Sequence, residues 1–313
     1  MKKTYITLGL LLIIVVIILG LQFWNTNIKQ NQEEKKSLQV VTTLFPLYDF
    51  AKNIGQEQVE VTLLLPPATE PHSFEPTPSD IIKIYEADIF IYTNPYLEPW
   101  AVDIIKSLPT SVMVVNVSED IPFLSSVAID KHEPIDSMDP HIWLDFDRAK
   151  KMVQNITKAF SQKDAVHANQ YEQASKQYQQ ILSELDNQYQ EGLSDCLKHE
   201  VIYAGHYAFG YLTARYGLEY VAAQGVSPDA EPTAQDLIKL INQIKDQDIH
   251  WIFYEELASP KIAQMLSTET QTKLLLLHPA HNLSKDQMQE SISFQDIMKQ
   301  NLLHLQTGLE CKP

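Results

Sequence analysis

Cysteine is scarce: Cys196 and Cys311 are the only two in 313 residues. In an exported chain such a pair reads as one disulfide, with two free buried thiols as the alternative. Closing a loop of that size is worth on the order of 4 to 5 kcal/mol in the chain-entropy model. Positive charge is also short, with 24 Lys and Arg against 40 Asp and Glu and a net charge of −16. Phosphate backbones are repelled by such a surface, which argues against nucleic acid as a partner. Familiar catalytic signatures are missing. His-Glu-x-x-His fails because His199-Glu200 is followed by Tyr203, and His132-Glu133 by Asp136, where the second histidine belongs. Neither a Gly-x-Ser-x-Gly elbow nor a Gly-rich phosphate loop occurs. Finally, the span from Asp147 to Glu191 holds no glycine and no proline, although both punctuate the chain on either side.

That unbroken span organises the rest. Apolar residues recur at helical spacing in Ala149, Met152, Val153, Ile156 and Phe160. After a polar break at Ser161 to Asp164 they recur in Tyr171, Ala174, Tyr178, Ile181, Leu182, Leu185 and Tyr189. Two helices are expected, the second from about His167 to Leu193, and at ~1.5 Å per residue it reaches roughly 40 Å. Such a length suits a strut touching two lobes. The competing reading is a long surface helix of a single domain.

At 313 residues the chain is long enough to form two domains, and its 44% hydrophobic content is an ordinary globular composition. Lys2 and Lys3 precede an uncharged, mainly apolar run from Thr4 to Trp24, long enough to cross a bilayer. Residues 1–24 are read as an uncleaved membrane anchor, with a cleavable signal as the alternative, and the positive-inside rule then places the remainder outside the cytoplasm. Residues 25–37 read as a flexible tether. Strands are expected at Leu38–Leu44, Val59–Leu65, Asp88–Tyr92 and Val112–Val117 before the strut. Beyond it they are expected at Glu200–Ala204, Glu219–Ala223, Trp251–Tyr254 and Lys273–Leu277, all alternating with helical segments. The expected fold is α/β, with two lobes, each a small mainly parallel sheet flanked by helices, joined by one long rigid helix. The lobes are assigned to residues 38–166 and 194–313, with residues 167–193 as the link.

Of ten histidines, His72, His141, His206 and His281 each lie in a loop downstream of a strand. Ligands of open α/β sheets bind beyond the carboxyl ends of strands, so two such rings from each lobe could converge into the nitrogen-rich set that zinc accepts. Pro71, Pro76 and Pro78 stiffen the loop presenting His72. His206 is placed at the N-terminus of a helix, whose dipole keeps the ring neutral and able to bind metal. His278 competes with His281 for the fourth place, with Pro279 turning the two in different directions. His132, in an acidic loop, is a candidate for metal capture. His167, His199, His250 and His304 are read as solvated or packing residues.

The segments Glu70-Pro71-His72-Ser73-Phe74-Glu75-Pro76-Thr77-Pro78-Ser79-Asp80, Asp139-Pro140-His141-Ile142-Trp143-Leu144-Asp145, His206-Tyr207-Ala208-Phe209-Gly210-Tyr211 and Gly225-Val226-Ser227-Pro228-Asp229-Ala230-Glu231-Pro232 carry a resemblance. In this order they look like the zinc/manganese solute-binding proteins of bacterial ABC importers, most like the zinc-uptake branch, from Val40 onward. The resemblance implies two α/β lobes bridged by a rigid helix, one metal ion between them, and delivery to an ABC permease by a monomer. It implies His72, His141 and His206 as ligands, with His281 at the fourth position. A histidine there favours Zn2+ over Mn2+, which prefers harder oxygen donors. Two departures stand out. No cysteine precedes Cys196, where Gram-positive members carry a lipid-bearing one, and the usual His- and Asp-rich loop is reduced to a short stretch with His132.

A binding module is therefore the first functional reading, since four protein ligands close the zinc shell and leave no place for an activated water. The rival is a zinc hydrolase using three histidines and a water, with Glu70 or Glu75 as base. A surface adhesin is a third role given to members of such families, and no feature of this sequence argues for it.

Overall fold

Among the described residues, eight short strands, each followed by a helical segment, form two separate four-stranded sheets in which every pairing is parallel. This computed structural model describes residues 37–125, 138–226, 228, 232–257 and 259–312. The expected anchor, nearly all of the tether, and His132 with its acidic neighbours lie outside the described residues. Among the described residues no helix is long and apolar enough to cross a membrane.

The first sheet contains β1 (Leu38–Thr42), β2 (Val59–Leu63), β3 (Ile89–Tyr92) and β4 (Met113–Asn116) in the order β2-β1-β3-β4. Helices α1 (Phe45–Gly55), α2 (Pro78–Glu86) and α3 (Pro99–Ile105) connect them. Strand β3, Ile-Phe-Ile-Tyr, is buried on both faces, as a continuous apolar run in a covered parallel sheet should be. Thr77 and Asp80 close a capping box on α2 and Pro78 occupies its first turn, so the stiff loop after β2 ends at a defined place.

Two long helices follow, α4 (Phe146–Lys163) and α5 (Ala168–Gly192). They match the two helices expected from the Gly- and Pro-free span. Asp145 starts α4 by accepting from the backbone N–H of Asp147 and Arg148. Helix α5 buries Tyr171, Tyr178, Leu182, Leu185 and Tyr189 along one stripe. Each fully buried leucine contributes ~1.5–3 kcal/mol. Two of its tyrosine hydroxyls reach opposite halves of the chain: Tyr178 donates to Asp49 of α1 at 2.6 Å and Tyr189 to the Met298 carbonyl at 2.6 Å.

The second sheet repeats the first. Strands β5 (Glu200–Tyr203), β6 (Glu219–Ala222), β7 (Trp251–Tyr254) and β8 (Lys273–Leu276) run in the order β6-β5-β7-β8, with α6 (Gly210–Tyr216), α7 (Ala234–Asp246) and α8 (Lys261–Thr270) between them. A five-residue helix α9 (Lys285–Gln289), too short for periodicity to reveal, precedes α10 (Phe294–Gly308), the expected final helix. Cys196 and Cys311 form the disulfide. It fastens the chain just after α5 to the segment just after α10, where Lys198 and Lys312 also exchange backbone hydrogen bonds with Leu309 and Asp195.

Candidate metal centre

The two sheets direct their carboxyl-end loops to one buried spot. His72 comes from the loop after β2, where its backbone N–H donates to Glu70 Oε1 at 3.1 Å. His141 comes from the long connection after β4 and is fully buried. Asp139 Oδ1 accepts from both its backbone N–H (3.0 Å) and its ring Nδ1 (2.8 Å). His206 follows β5, with Nδ1 2.8 Å from Glu255 Oε2. His281 follows β8, where Ala280 takes a φ of 57° to turn the chain inward.

Backbone ties lock these loops together. Asn282 Nδ2 donates to the carbonyls of Pro66 and Thr69 at 2.8 Å each, Ala68 N–H donates to the Leu283 carbonyl, and the Trp143 indole donates to the Pro279 carbonyl at 2.8 Å. Loops from distant parts of the chain thus arrive as a single floor.

Three of the four singled-out histidines meet directly. His72 Nε2 lies 3.2 Å from His141 Nε2, which lies 3.1 Å from His206 Nε2. Because carboxylates accept from Nδ1 of His141 and of His206, the proton of each ring sits there and each Nε2 presents a lone pair. Lone pairs facing one another at this distance repel unless a cation lies between. Zn–N bonds of ~2.0–2.1 Å place tetrahedral nitrogens about 3.3 Å apart, close to these separations.

His281 groups instead with His206 and Glu255. Its ring lies 5.6 Å from that of His206, its Nε2 lies 3.6 Å from Glu255 Oε1, and neither of its nitrogens makes a hydrogen bond. His278 is turned away. Its Nδ1 accepts from Ala280 N–H at 2.9 Å and its Nε2 lies 3.2 Å from Glu256. Among the remaining rings, His167 is bonded to Asp164 at the start of α5, His304 lies against the Leu276 carbonyl, and His199 and His250 are exposed.

Burial and the neighbouring imidazoles push the pKa of His72, His141 and His281 well below the ordinary histidine value, so these rings are neutral donors. For His206 burial acts downward, but Glu255 outweighs it and the net shift is upward. Burial pushes Asp139 up to about 7, against its bond from the His141 backbone.

One expectation is corrected. His206 does not sit at a helix N-terminus: α6 begins at Gly210 after Phe209. Tyr207 N–H bonds to the Gly225 carbonyl and His206 bonds to Glu255, which hold the segment as a loop. A carboxylate, not a helix dipole, controls that ring. Glu255 went unnoticed in the sequence reading, as did the role of Asp139. Glu255 follows the last residue of β7 directly, so the strand-end criterion that singled out the histidines would have found it had carboxylates been included.

Comparisons with known proteins agree with this arrangement. The chain is 37% identical over 314 residues to the high-affinity zinc uptake system protein ZnuA of Bacillus subtilis (strain 168), covering 97% of this chain and 98% of that protein. It is 34% identical to the zinc-binding protein AdcA of Streptococcus pyogenes serotype M3 over 88% of this chain, spanning 57% of AdcA. The solved Zn(II)-bound ZnuA-like domain of Streptococcus pneumoniae AdcA superposes with a TM-score of 0.76 at 33% identity, over 88% of this chain and 100% of that one. With a family model described as "Zinc-uptake complex component A periplasmic" matching residues 40–308, the chain belongs to the family of periplasmic A components of zinc-uptake complexes.

Proposed function

We propose that this protein captures one Zn2+ outside the cytoplasm and delivers it to the membrane permease of an ABC importer. His72, His141 and His206 are the ligands, with His281 as the fourth. The carrying observation is the set of Nε2 atoms at 3.1–3.2 Å, with both Nδ1 positions of His141 and His206 committed to carboxylates. All-imidazole donors favour zinc over manganese. The lobes are residues 38–166 and 194–313, bridged by residues 167–193, and the working form is a monomer held at the membrane through residues 1–24.

A closed shell suits binding and release rather than catalysis. The hydrolase reading gains nothing from its suggested bases, since Glu75 is exposed and Glu70 bonds to the His72 backbone. Elemental analysis of the purified protein, with zinc and manganese in competition, tests the proposal. One equivalent of zinc, not displaced by manganese, is the expected result. Metal-free protein after zinc loading, or a preference for manganese, overturns it.

A further inference from the structure

Helix α6 lies between β5 and β6 of the second sheet, yet its buried groups act on the segment after β4 that carries His141. Tyr211 is fully buried in this helix. Its hydroxyl donates to the Asp139 carbonyl at 2.8 Å and accepts from the Leu124 N–H at 2.9 Å. Asp139 N–H in turn donates to the Leu124 carbonyl. One phenol thus fixes the backbone of the residue whose Oδ1 holds both the backbone and the ring of His141.

Gly210, the first residue of α6, bounds the same aspartate from its side-chain end. A Cβ there would lie 2.8 Å from Asp139 Oδ2 and 2.6 Å from the Tyr207 ring, so glycine is what lets the carboxylate come this close. Asp139 Oδ2 is buried and makes no hydrogen bond. With no polar partner on that oxygen, the placement of the carboxylate depends on its backbone tie and on the wall that α6 provides. The helix itself is firmly seated. Arg215 donates to Asp147 of α4 at 2.9 Å and to Asp186 of α5 at 2.7 Å, and Tyr216 donates to Asp186 at 2.8 Å. The Arg148 guanidinium of α4 covers the Tyr211 ring, 4.7 Å from its centre.

We propose that Tyr211 is a positioning residue: through Asp139 it presets the ring of His141 against that of His206, whose loop runs directly into α6. This rests on the zinc-binding function proposed above and extends it to a residue that touches no ligand atom. Donors already spaced and oriented lose less freedom when a cation binds, and the gain shows mainly as slower release.

The test compares native protein, Tyr211→Phe and Tyr189→Phe as full chains. Tyr211→Phe keeps the ring and its contact with Arg148 and removes only the hydroxyl. Tyr189→Phe removes a buried hydroxyl of the same kind, bonded to the Met298 carbonyl instead, and serves as the matched control. Zn2+ affinity is read by competition with a chromophoric chelator and release by stopped-flow mixing with excess chelator. Nitrogen NMR of the zinc-free proteins reads the His141 tautomer. Tyr211→Phe is expected to bind Zn2+ about 10-fold more weakly, through faster release, and to show His141 as a mixture of tautomers. Tyr189→Phe is expected to match native protein in both. Native affinity and a single His141 tautomer in Tyr211→Phe overturn the proposal, as does an equal loss of affinity in the two variants. The tautomer reading needs no zinc, so failure of the native protein to bind would refute the function proposed above while the NMR comparison still decides the role of Tyr211. Should Tyr211→Phe lose its far-UV circular dichroism signal, Gly210→Ala, which presses on Asp139 with the hydroxyl in place, replaces it with the same expected contrast.

Discussion

The Nε2 atoms of His141 and His206 stand 3.1 Å apart although 65 positions separate the residues in the chain. One ring is carried on the connection between β4 and α4, the other on the loop after β5, and each is backed by its own buried carboxylate. Replacing either ring with alanine removes a donor from a preformed set, so zinc affinity is expected to fall roughly 100-fold or more. His72→Ala should behave alike, and His281→Ala should cost less because water can take the vacated place. Calorimetric titration with a competing chelator measures this, and unchanged stoichiometry and affinity in His141→Ala would refute the ligand assignment.

Asp139 accepts from the backbone and ring of His141 at once. Asp139→Ala frees Nδ1 and lets the imidazole turn, so zinc affinity should drop about 10–100-fold. Nitrogen NMR of the histidine side chains should show His141 passing from a single Nδ1–H tautomer to a mixture. A ring that keeps one tautomer in the variant would contradict this role.

The Cys196–Cys311 disulfide closes a loop of 115 residues containing the whole second sheet. Cys196→Ser/Cys311→Ser should lower unfolding free energy by about 5 kcal/mol through the restored entropy of the unfolded chain. Urea denaturation of zinc-free protein reads this directly. A loss below about 1 kcal/mol would mean that the native state gains little from the crosslink.

Glu98 gives zinc-free protein a pH dependence of its own. Its carboxylate is buried and accepts from Thr43, Thr93 and Asn94, yet burial outweighs these bonds and pushes its pKa up from the ordinary 4.5 to about 7. A raised acid binds its proton more tightly in the folded state. Stability from this group is therefore fully present below pH 4.5 and lost as pH rises to about 7. The total is about 3 kcal/mol at most. Glu98→Gln should remove this slope and make the variant more stable than native at pH 8. Parallel denaturation curves at pH 5 and 8 for both proteins would show the assignment to be wrong.

The sequence by itself determined the repeated strand and helix alternation, the two long helices and the four strand-end histidines. These rest on local properties: apolar spacing, capping residues, and the freedom from glycine and proline between Asp147 and Glu191. Only the tertiary structure decided which donors meet. It put His72, His141 and His206 together, set His281 against Glu255, and turned His278 toward Glu256. It also replaced an expected helix dipole at His206 with the carboxylate of Glu255, just after β7. The reason is that convergence depends on strand order and on ties between loops such as Asn282 to Pro66, 216 positions apart, and no pattern within a dozen residues encodes a contact of that range.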